Sequence, residues 1–306
     1  MKKICIVGYG LHVKKTIIPS LNLDNKNIKI ITNKRVESIE TISDIKIALK
    51  KLPKDYIFFN STPPKFHYTT TKLILSSGFN VIVEKPLCLN VLQLEKLHNL
   101  ANKNKLFMFE NMMYFYSKQF NYLKKLLIKK KINKIDIKFS IPDINKKSFR
   151  SENNLDSSLL YDMGCYPFSL ISFFGFDNKK LKIVYKTKDK KLNSLKINFK
   201  SKKIKFEIIL SIFQKYENFI QVNFKDNSIY KLNHFFYGKK IQKKIYIFKL
   251  NKKVKILKMN EINLFKKIFN YSNKKLLALS QEQFFVIKNY LKKLNIIKKK
   301  LNYSSN

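Results

Sequence analysis

Two short stretches of this sequence carry side chains suited to moving a proton beside a developing negative charge. They are Glu84-Lys85-Pro86 and Asp162-Met163-Gly164-Cys165-Tyr166. Asn80-Val81-Ile82-Val83, preceded by Gly78 and ended by the Glu-Lys-Pro corner, reads as a buried parallel strand that delivers a cation at its C-terminal edge. Open α/β sheets bind ligands at that edge. Pro86 stops the strand and restricts Lys85 to extended backbone, so the direction of the lysine is set by the chain itself. Asp162 and Tyr166 are four residues apart and would share a face of one helical turn. A carboxylate and a phenol aimed at one cleft orient a substrate and exchange a proton with it. Taken alone, the same pair also reads as a capping aspartate and a core tyrosine.

The elements that must hold these groups follow from the hydrophobic pattern. Residues 2–7 form a first buried strand that runs into Gly8-Tyr9-Gly10-Leu11-His12-Val13 and then a helix carrying Ile17, Ile18 and Leu21. Strand, G-x-G, helix is the dinucleotide-binding arrangement: glycine lets the backbone approach a pyrophosphate, and the helix start supplies donors. Val13 stands where that fingerprint has its third glycine, so a plain tight turn is the competing reading. A chain with only six glycines nevertheless places two of them here. The second strand, 27–32, ends in Thr32-Asn33-Lys34-Arg35 rather than the acid that receives ribose hydroxyls in NAD sites. Basic and small polar groups there favour NADP(H), with NAD(H) possible. A helix over 44–52 leads to a third strand, 56–60, and to the rigid turn Ser61-Thr62-Pro63-Pro64. His67 opens the next helix, where a solvated or capping role is the plain reading beside a catalytic one. A helix over 90–102 and a strand over 106–109 complete a doubly wound parallel sheet.

Near Asn111-Met112-Met113-Tyr114 the pattern changes, which sets the expected boundary between a dinucleotide-binding domain at 1–112 and a second domain at 113–306. A basic amphipathic helix over 117–130 precedes period-two alternation at 135–141, 181–187, 193–200, 203–213, 217–224 and 243–250. That is the mark of half-buried strands in a mainly antiparallel open sheet packed on helices. The last helix is expected over 281–300, with Phe284, Ile287, Leu291 and Leu294 at helical spacing.

Composition narrows the function classes. The 306 residues are 45% hydrophobic and 14% aromatic, enough for globular cores. A net charge of +43 would suggest nucleic acid or an anionic membrane surface. However, Arg35 and Arg150 are the only arginines, and Ala48, Ala101 and Ala278 the only alanines. Lys, Asn, Ile, Phe and Tyr abound instead, which is the residue set of A/T-rich codons, so base bias accounts for the lysines. Nucleic-acid binders keep arginine for bidentate contacts, and no nucleic-acid partner is expected. The charge is uneven: residues 1–112 carry 18 basic against 8 acidic residues, the remainder 45 against 12. Such a bias suits a phosphorylated substrate. Cys5, Cys88 and Cys165 are too few and too far apart for a disulfide framework or a zinc site, so no metal is expected. The apolar run after Met1-Lys2-Lys3 stops at Gly8 with no cleavage pattern, and no run approaches the roughly 20 apolar residues of a membrane span. A cytoplasmic protein without membrane insertion is expected.

Gly8-x-Gly10, Thr62-Pro63-Pro64 with His67, Glu84-Lys85-Pro86 and Asp162-x-Gly164-x-Tyr166, in this order and at these separations, resemble the Gfo/Idh/MocA family of NAD(P)-dependent oxidoreductases. The resemblance covers residues 1–176; beyond them only the strand-rich character agrees. Many members have histidine where this chain has Tyr166; the tyrosine form resembles the glucose-fructose oxidoreductase, dihydrodiol dehydrogenase and nucleotide-sugar 3-ketoreductase branches. The run from Phe109-Glu110-Asn111 to Tyr114 and Phe149-Arg150 are similar to segments flanking the site of the nucleotide-sugar ketoreductases. Asp156-Ser157-Ser158 departs from the glycine-rich run those enzymes often show.

The resemblance implies hydride transfer between a nicotinamide and a carbonyl or hydroxyl of a sugar or nucleotide-sugar, with Lys85, Tyr166 and Asp162 catalytic. Gly8, Tyr9, Gly10, Leu11, His12, Asn33, Lys34, Arg35, Ser61, Thr62, Pro63, His67, Glu84 and Lys85 would hold the cofactor. Asn111, Tyr114, Arg150 and Asp162 would meet the substrate. A homodimer is implied as well. The competing class is a cofactor-binding fold kept as a regulatory or assembly protein, encouraged by the missing third glycine and opposed by the intact Lys85, Asp162 and Tyr166.

Overall fold

The computed structural model describes residues 2–21, 23–142, 159–178, 180–188, 191–212, 214–250 and 252–301. The chain forms two units, Met1–Met112 with Phe265–Lys292, and Met113–Leu264 with Lys293–Asn306.

In the first unit, β1 (Lys3–Val7), β2 (Ile28–Ile31), β3 (Glu40–Ile42), β4 (Tyr56–Asn60), β5 (Asn80–Val83) and β6 (Met108–Glu110) form one sheet in the order β3-β2-β1-β4-β5-β6. Every pairing is parallel. The central strands are apolar on both faces because helices cover both, and Ile6, Phe58, Phe59 and Val81 are fully enclosed. A π-helical turn, Val13–Ile17, continues as α1 (Ile18–Leu21); α2 (Ile45–Lys51), α3 (Pro64–Ser76) and α4 (Val91–Lys103) follow β3, β4 and β5. Capping fixes their starts: Asp44 accepts from the Lys46 N–H at 2.7 Å, Asn90 accepts from the Gln93 N–H at 2.9 Å, and Pro64 occupies the first turn of α3. The doubly wound parallel sheet expected from the alternation is therefore present. The extra strand β3 escaped that reading because Glu40-Thr41-Ile42 is a three-residue edge with little apolar content.

The second unit holds α5 (Lys118–Lys129), β7 (Ile132–Ser140), α6 (Leu159–Asp162), α7 (Cys165–Phe173) and β8 (Lys182–Lys188). These are followed by β9 (Lys191–Ser201), β10 (Ile204–Ser211), β11 (Glu217–Phe224), β12 (Ser228–Asn233), β13 (Ile241–Lys249) and β14 (Lys252–Glu261). The eight strands lie in the order β14-β13-β12-β11-β7-β10-β9-β8. Among the described residues of this sheet, β7 and β10 pair in parallel and the other pairings are antiparallel. Register puts Ile135 and Ile137 beside Phe206 and Ile208 on one side and Val222 and Ile220 on the other, so one face is a continuous apolar layer. The edge strands β8 and β14 are exposed and lysine-rich, which blunts edge-to-edge pairing. The pattern predicts neither β12 nor β14: β12 is a short six-residue strand, and in β14 dense lysines mask the alternation.

The remaining helices are α8 (Leu264–Phe269) and α9 (Asn273–Lys300). The latter begins earlier than the expected 281, since the Ser272 side chain accepts from the Lys275 N–H at 3.2 Å and starts the helix there. Within the first unit, Phe284 stacks on His98 at 3.8 Å, Lys288 pairs with Glu95 at 2.7 Å, and Phe269 meets Phe59 edge-on at 5.4 Å. All three cysteines are buried and none forms a disulfide, and burial pushes the Cys5 thiol up to about 12. No described helix is long and apolar enough to cross a membrane.

Candidate active site

The loops that leave β1, β4 and β5 are stitched together by backbone hydrogen bonds at the C-terminal edge of the sheet. The Gly8 N–H donates to Ile31 O at 3.2 Å, Ser61 N–H to Val7 O at 3.0 Å, and Glu84 N–H to Asn60 O at 2.9 Å. Gly8 has φ of +96°, and a Cβ there would lie 3.0 Å from Ser61 O, so the turn needs glycine on both counts. Gly10 faces open space, leaving backbone that a bound pyrophosphate can approach. Val13, in the place of the third glycine, is completely buried. Leu11, His12, Asn33, Lys34 and Arg35 are exposed along the same edge, with Tyr9, Ser61 and Thr62 half-buried. These residues therefore fit a dinucleotide, with positive charge at the end of β2.

Gly8→Ala is expected to cost about 1–2 kcal/mol from the left-handed backbone alone. Thermal denaturation read by circular dichroism would register it as a lower midpoint.

Asn60, which sequence reasoning passed over, organises this edge. Its amide nitrogen donates to His67 O at 3.2 Å and Thr71 Oγ1 at 3.0 Å, while its oxygen accepts from the Thr62 hydroxyl at 2.8 Å. An asparagine closing an apolar strand just before Ser-Thr-Pro-Pro was the available signal.

The backbone around Lys85 is clamped on every side. Glu84 Oε1 accepts from Asn111 Nδ2 at 2.7 Å and lies 3.3 Å from His12 Nε2. The Lys85-Pro86 peptide bond is cis. His67 Nδ1 lies 2.7 Å from Pro86 O and its Nε2 lies 2.8 Å from Thr62 O. Glu110 Oε1 accepts from the Leu87 N–H at 2.9 Å. His67 is thus neither solvated nor a cap: it is buried and ties two loops together. Burial holds its pKa below the ordinary value even though the carbonyls of Pro86 and Thr62 favour the charged ring. Burial also opposes ionisation of Glu84, but His12, Asn111 and Lys85 outweigh it and keep its carboxyl below the usual range. Burial dominates at Glu110 and pushes its carboxyl up to about 7, against the Tyr290 hydroxyl, the Leu87 N–H and the charge of Lys85. One carboxyl held below the usual range and one pushed up to about 7 therefore act on the lysine.

In the second unit, Asp162 and Tyr166 do not share one helix. Asp162 ends α6, Met163 and Gly164 form a turn, and Tyr166 sits in the first turn of α7. Pro167 explains the break, because it has no N–H to offer the carbonyl of Met163; the Tyr166 N–H donates to that oxygen instead, at 3.3 Å. Asp162 and Tyr166 are both buried. The Tyr166 ring packs against Phe236 at 5.3 Å and Phe139 at 5.5 Å, and the fully buried Tyr114 shares a hydrogen bond with Ser169 at 2.9 Å. Ser169 in turn donates to Tyr166 O at 2.9 Å, so Tyr114 steadies the helix that carries Tyr166. Arg150 and Asp156-Ser157-Ser158 lie outside the described residues. Among the described residues no three His, Cys, Asp or Glu side chains gather to hold a metal ion.

A parallel sheet with a glycine turn after β1 and a clamped lysine after β5 defines a dinucleotide-binding oxidoreductase domain. Residues 2–112 match the GFO_IDH_MocA family, described as "Oxidoreductase family, NAD-binding Rossmann fold", and this part of the chain belongs to the Gfo/Idh/MocA oxidoreductases. No curated protein matches the sequence significantly.

Among solved structures, KijD10, a 3-ketoreductase from Actinomadura kijaniata in complex with NADP and TDP-benzene, is similar at a TM-score of 0.80 and 16% identity, covering 95% of each chain. The UDP-N-acetylglucosamine 3-dehydrogenase GnnA from Acidithiobacillus ferrooxidans has a TM-score of 0.74 at 11% identity, over 97% of this chain and 96% of its own. The putative oxidoreductase yvaA from Bacillus subtilis has a TM-score of 0.73 at 16% identity, over 99% and 97%. At these identities the likeness is one of fold, and it spans the whole chain.

Proposed function

We propose that the protein reduces a keto group on a nucleotide-linked sugar with NADP(H). The observation that carries this reading is the anchoring of the residues on either side of Lys85, with Glu84 held by Asn111, Pro86 by His67 and Leu87 by Glu110, at the C-terminal edge of a dinucleotide-binding sheet. Support also comes from the fold shared with a 3-ketoreductase bound to NADP and a TDP compound, and with a UDP-sugar 3-dehydrogenase.

Bound NADPH supplies the hydride. Gly8, Tyr9, Gly10, Leu11 and His12 hold its pyrophosphate, Asn33, Lys34 and Arg35 its 2′-phosphate, and Ser61, Thr62, Pro63, His67 and Glu84 complete the crevice. Tyr166 gives its phenolic proton to the carbonyl oxygen as negative charge develops there. The Lys85 ammonium stabilises that charge and favours the tyrosinate left behind. Asp162 orients a sugar hydroxyl, Arg150 takes a phosphate of the nucleotide, and Asn111 keeps Glu84 in place. In the reverse direction the same groups oxidise the hydroxyl, with Tyr166 as base.

The test is loss of NADPH absorbance on mixing with dTDP- or UDP-linked 3-keto-hexoses, and formation of NADPH from NADP⁺ with the corresponding alcohols. Absence of turnover in both directions across such a panel overturns the reading.

Arg35→Ala separates the cofactors. A bidentate contact to phosphate is worth about 1.5–3 kcal/mol, so the Kd for NADPH should rise roughly 10- to 100-fold. The Kd for NADH, read by the same fluorescence titration, should barely move. Equal effects on both nucleotides would remove Arg35 from the 2′-phosphate site.

A further inference from the structure

Glu110 stands apart from the residues assigned above. Its register on β6 puts it beside Val83, and its carboxyl reaches from there to the Leu87 N–H, so it spans the turn that presents Lys85. The same oxygen accepts from the Tyr290 hydroxyl at 2.6 Å. Its backbone is held twice by Gln283, with the Glu110 N–H donating to Oε1 at 3.0 Å and Glu110 O accepting from Nε2 at 2.9 Å. Gln283 and Tyr290 are seven residues apart on α9, two turns along one face. One helix therefore offers a matched amide clamp and a phenolic donor to a single glutamate. The carboxyl is wholly enclosed, where an apolar side chain would pack at lower cost. An acid enclosed there acts electrostatically on Lys85, Glu84 and Cys88 from the β5 side, and accepts a hydrogen bond from Tyr290 of α9.

We propose that Glu110 is a positioning residue whose charge, stabilised by Tyr290, sets the proton affinity of Lys85 and so the pH range over which the site works. The catalytic consequence rests on the function proposed above; the coupling between Glu110 and Lys85 does not. When Glu110 is ionised, the ammonium form of Lys85 is favoured. When Glu110 is protonated, that support is withdrawn. Burial places the changeover near neutral pH, at about 7.

The experiment is competitive labelling of the full-length protein with trace acetic anhydride across a pH series, without substrate, reading the peptide containing the half-exposed Lys85 by mass spectrometry. In Glu110→Gln the midpoint for acetylation of Lys85 should fall by roughly one pH unit, a tenfold gain in labelling at a given pH, while exposed lysines keep theirs. Glu110→Met, an apolar replacement of similar length, removes the same charge and should move the Lys85 midpoint in the same direction. It serves as the readout if Glu110→Gln does not fold. A Lys85 midpoint identical to wild type in a folded variant overturns the proposal. Because no sugar is present, a shifted midpoint with no turnover of any nucleotide-sugar would sink the functional reading and leave this coupling standing.

Discussion

Lys85→Ala and Tyr166→Phe are each expected to lower kcat for reduction of a nucleotide-linked keto sugar by about 10²- to 10⁴-fold, while NADPH still binds. The argument for Lys85 is electrostatic. Hydride arriving at a carbonyl carbon leaves charge on oxygen, and a cation fixed beforehand meets that charge without reorganisation. The clamp on its backbone by His67 at Pro86 and by Glu110 at Leu87 is what fixes it. Tyr166→Phe keeps the ring that packs against Phe236 and Phe139 and removes the hydroxyl that carries the phenolic proton. Groups that act as one unit are not additive, so the double variant should be little worse than the poorer single one. Steady-state NADPH oxidation with parallel nucleotide titration checks this, and near-wild-type kcat in either single variant would exclude that residue from the chemistry.

Gly164→Ala should be the most damaging small substitution in the second unit, with a loss of about 3 kcal/mol or more. Its φ is an ordinary −67°, so the objection is not backbone strain. A Cβ at this position would lie 2.2 Å from Leu160 O and 3.3 Å from a Leu294 methyl. A carbonyl fixed in α6 cannot swing aside as a lysine tip can, so the turn between α6 and α7 must move and carry Asp162 and Tyr166 with it. Urea unfolding followed by circular dichroism should show the midpoint drop. Wild-type stability in this variant would mean that the turn is softer than its geometry implies.

Much of this architecture was legible because the first unit obeys strong local rules. Buried parallel strands appear as unbroken apolar runs, and Gly8, Pro64 and Asn90 act as punctuation with one physical meaning each. The second unit was read less completely. Lysines at positions such as Lys252, Lys255 and Lys258 interrupt the alternation of β14, and at an exposed edge no burial demand restores it.

The site shows the same division. Gly8, Lys85 and Tyr166 announce themselves by type and spacing. Asn60, Glu110, Gln283 and Tyr290 do not, since each matters through a partner that only the fold brings near. Asp162 and Tyr166 illustrate a third case, in which correct spacing suggested a shared helical face and Pro167 broke it.

The phenol that reaches Glu110 is encoded 180 residues downstream of it, in a stretch of α9 that belongs to the first unit. During synthesis the ribosome releases all six strands of the first sheet long before that tyrosine emerges. The nascent sheet must therefore wait, its edge acid held by the Leu87 N–H but lacking the Tyr290 hydroxyl, while residues 113–264 of the second unit are translated. A fragment cut after Met112 is an incomplete folding unit, and a truncation that removes α9 would strip the cofactor-binding half of a part that its own contiguous stretch of gene does not contain.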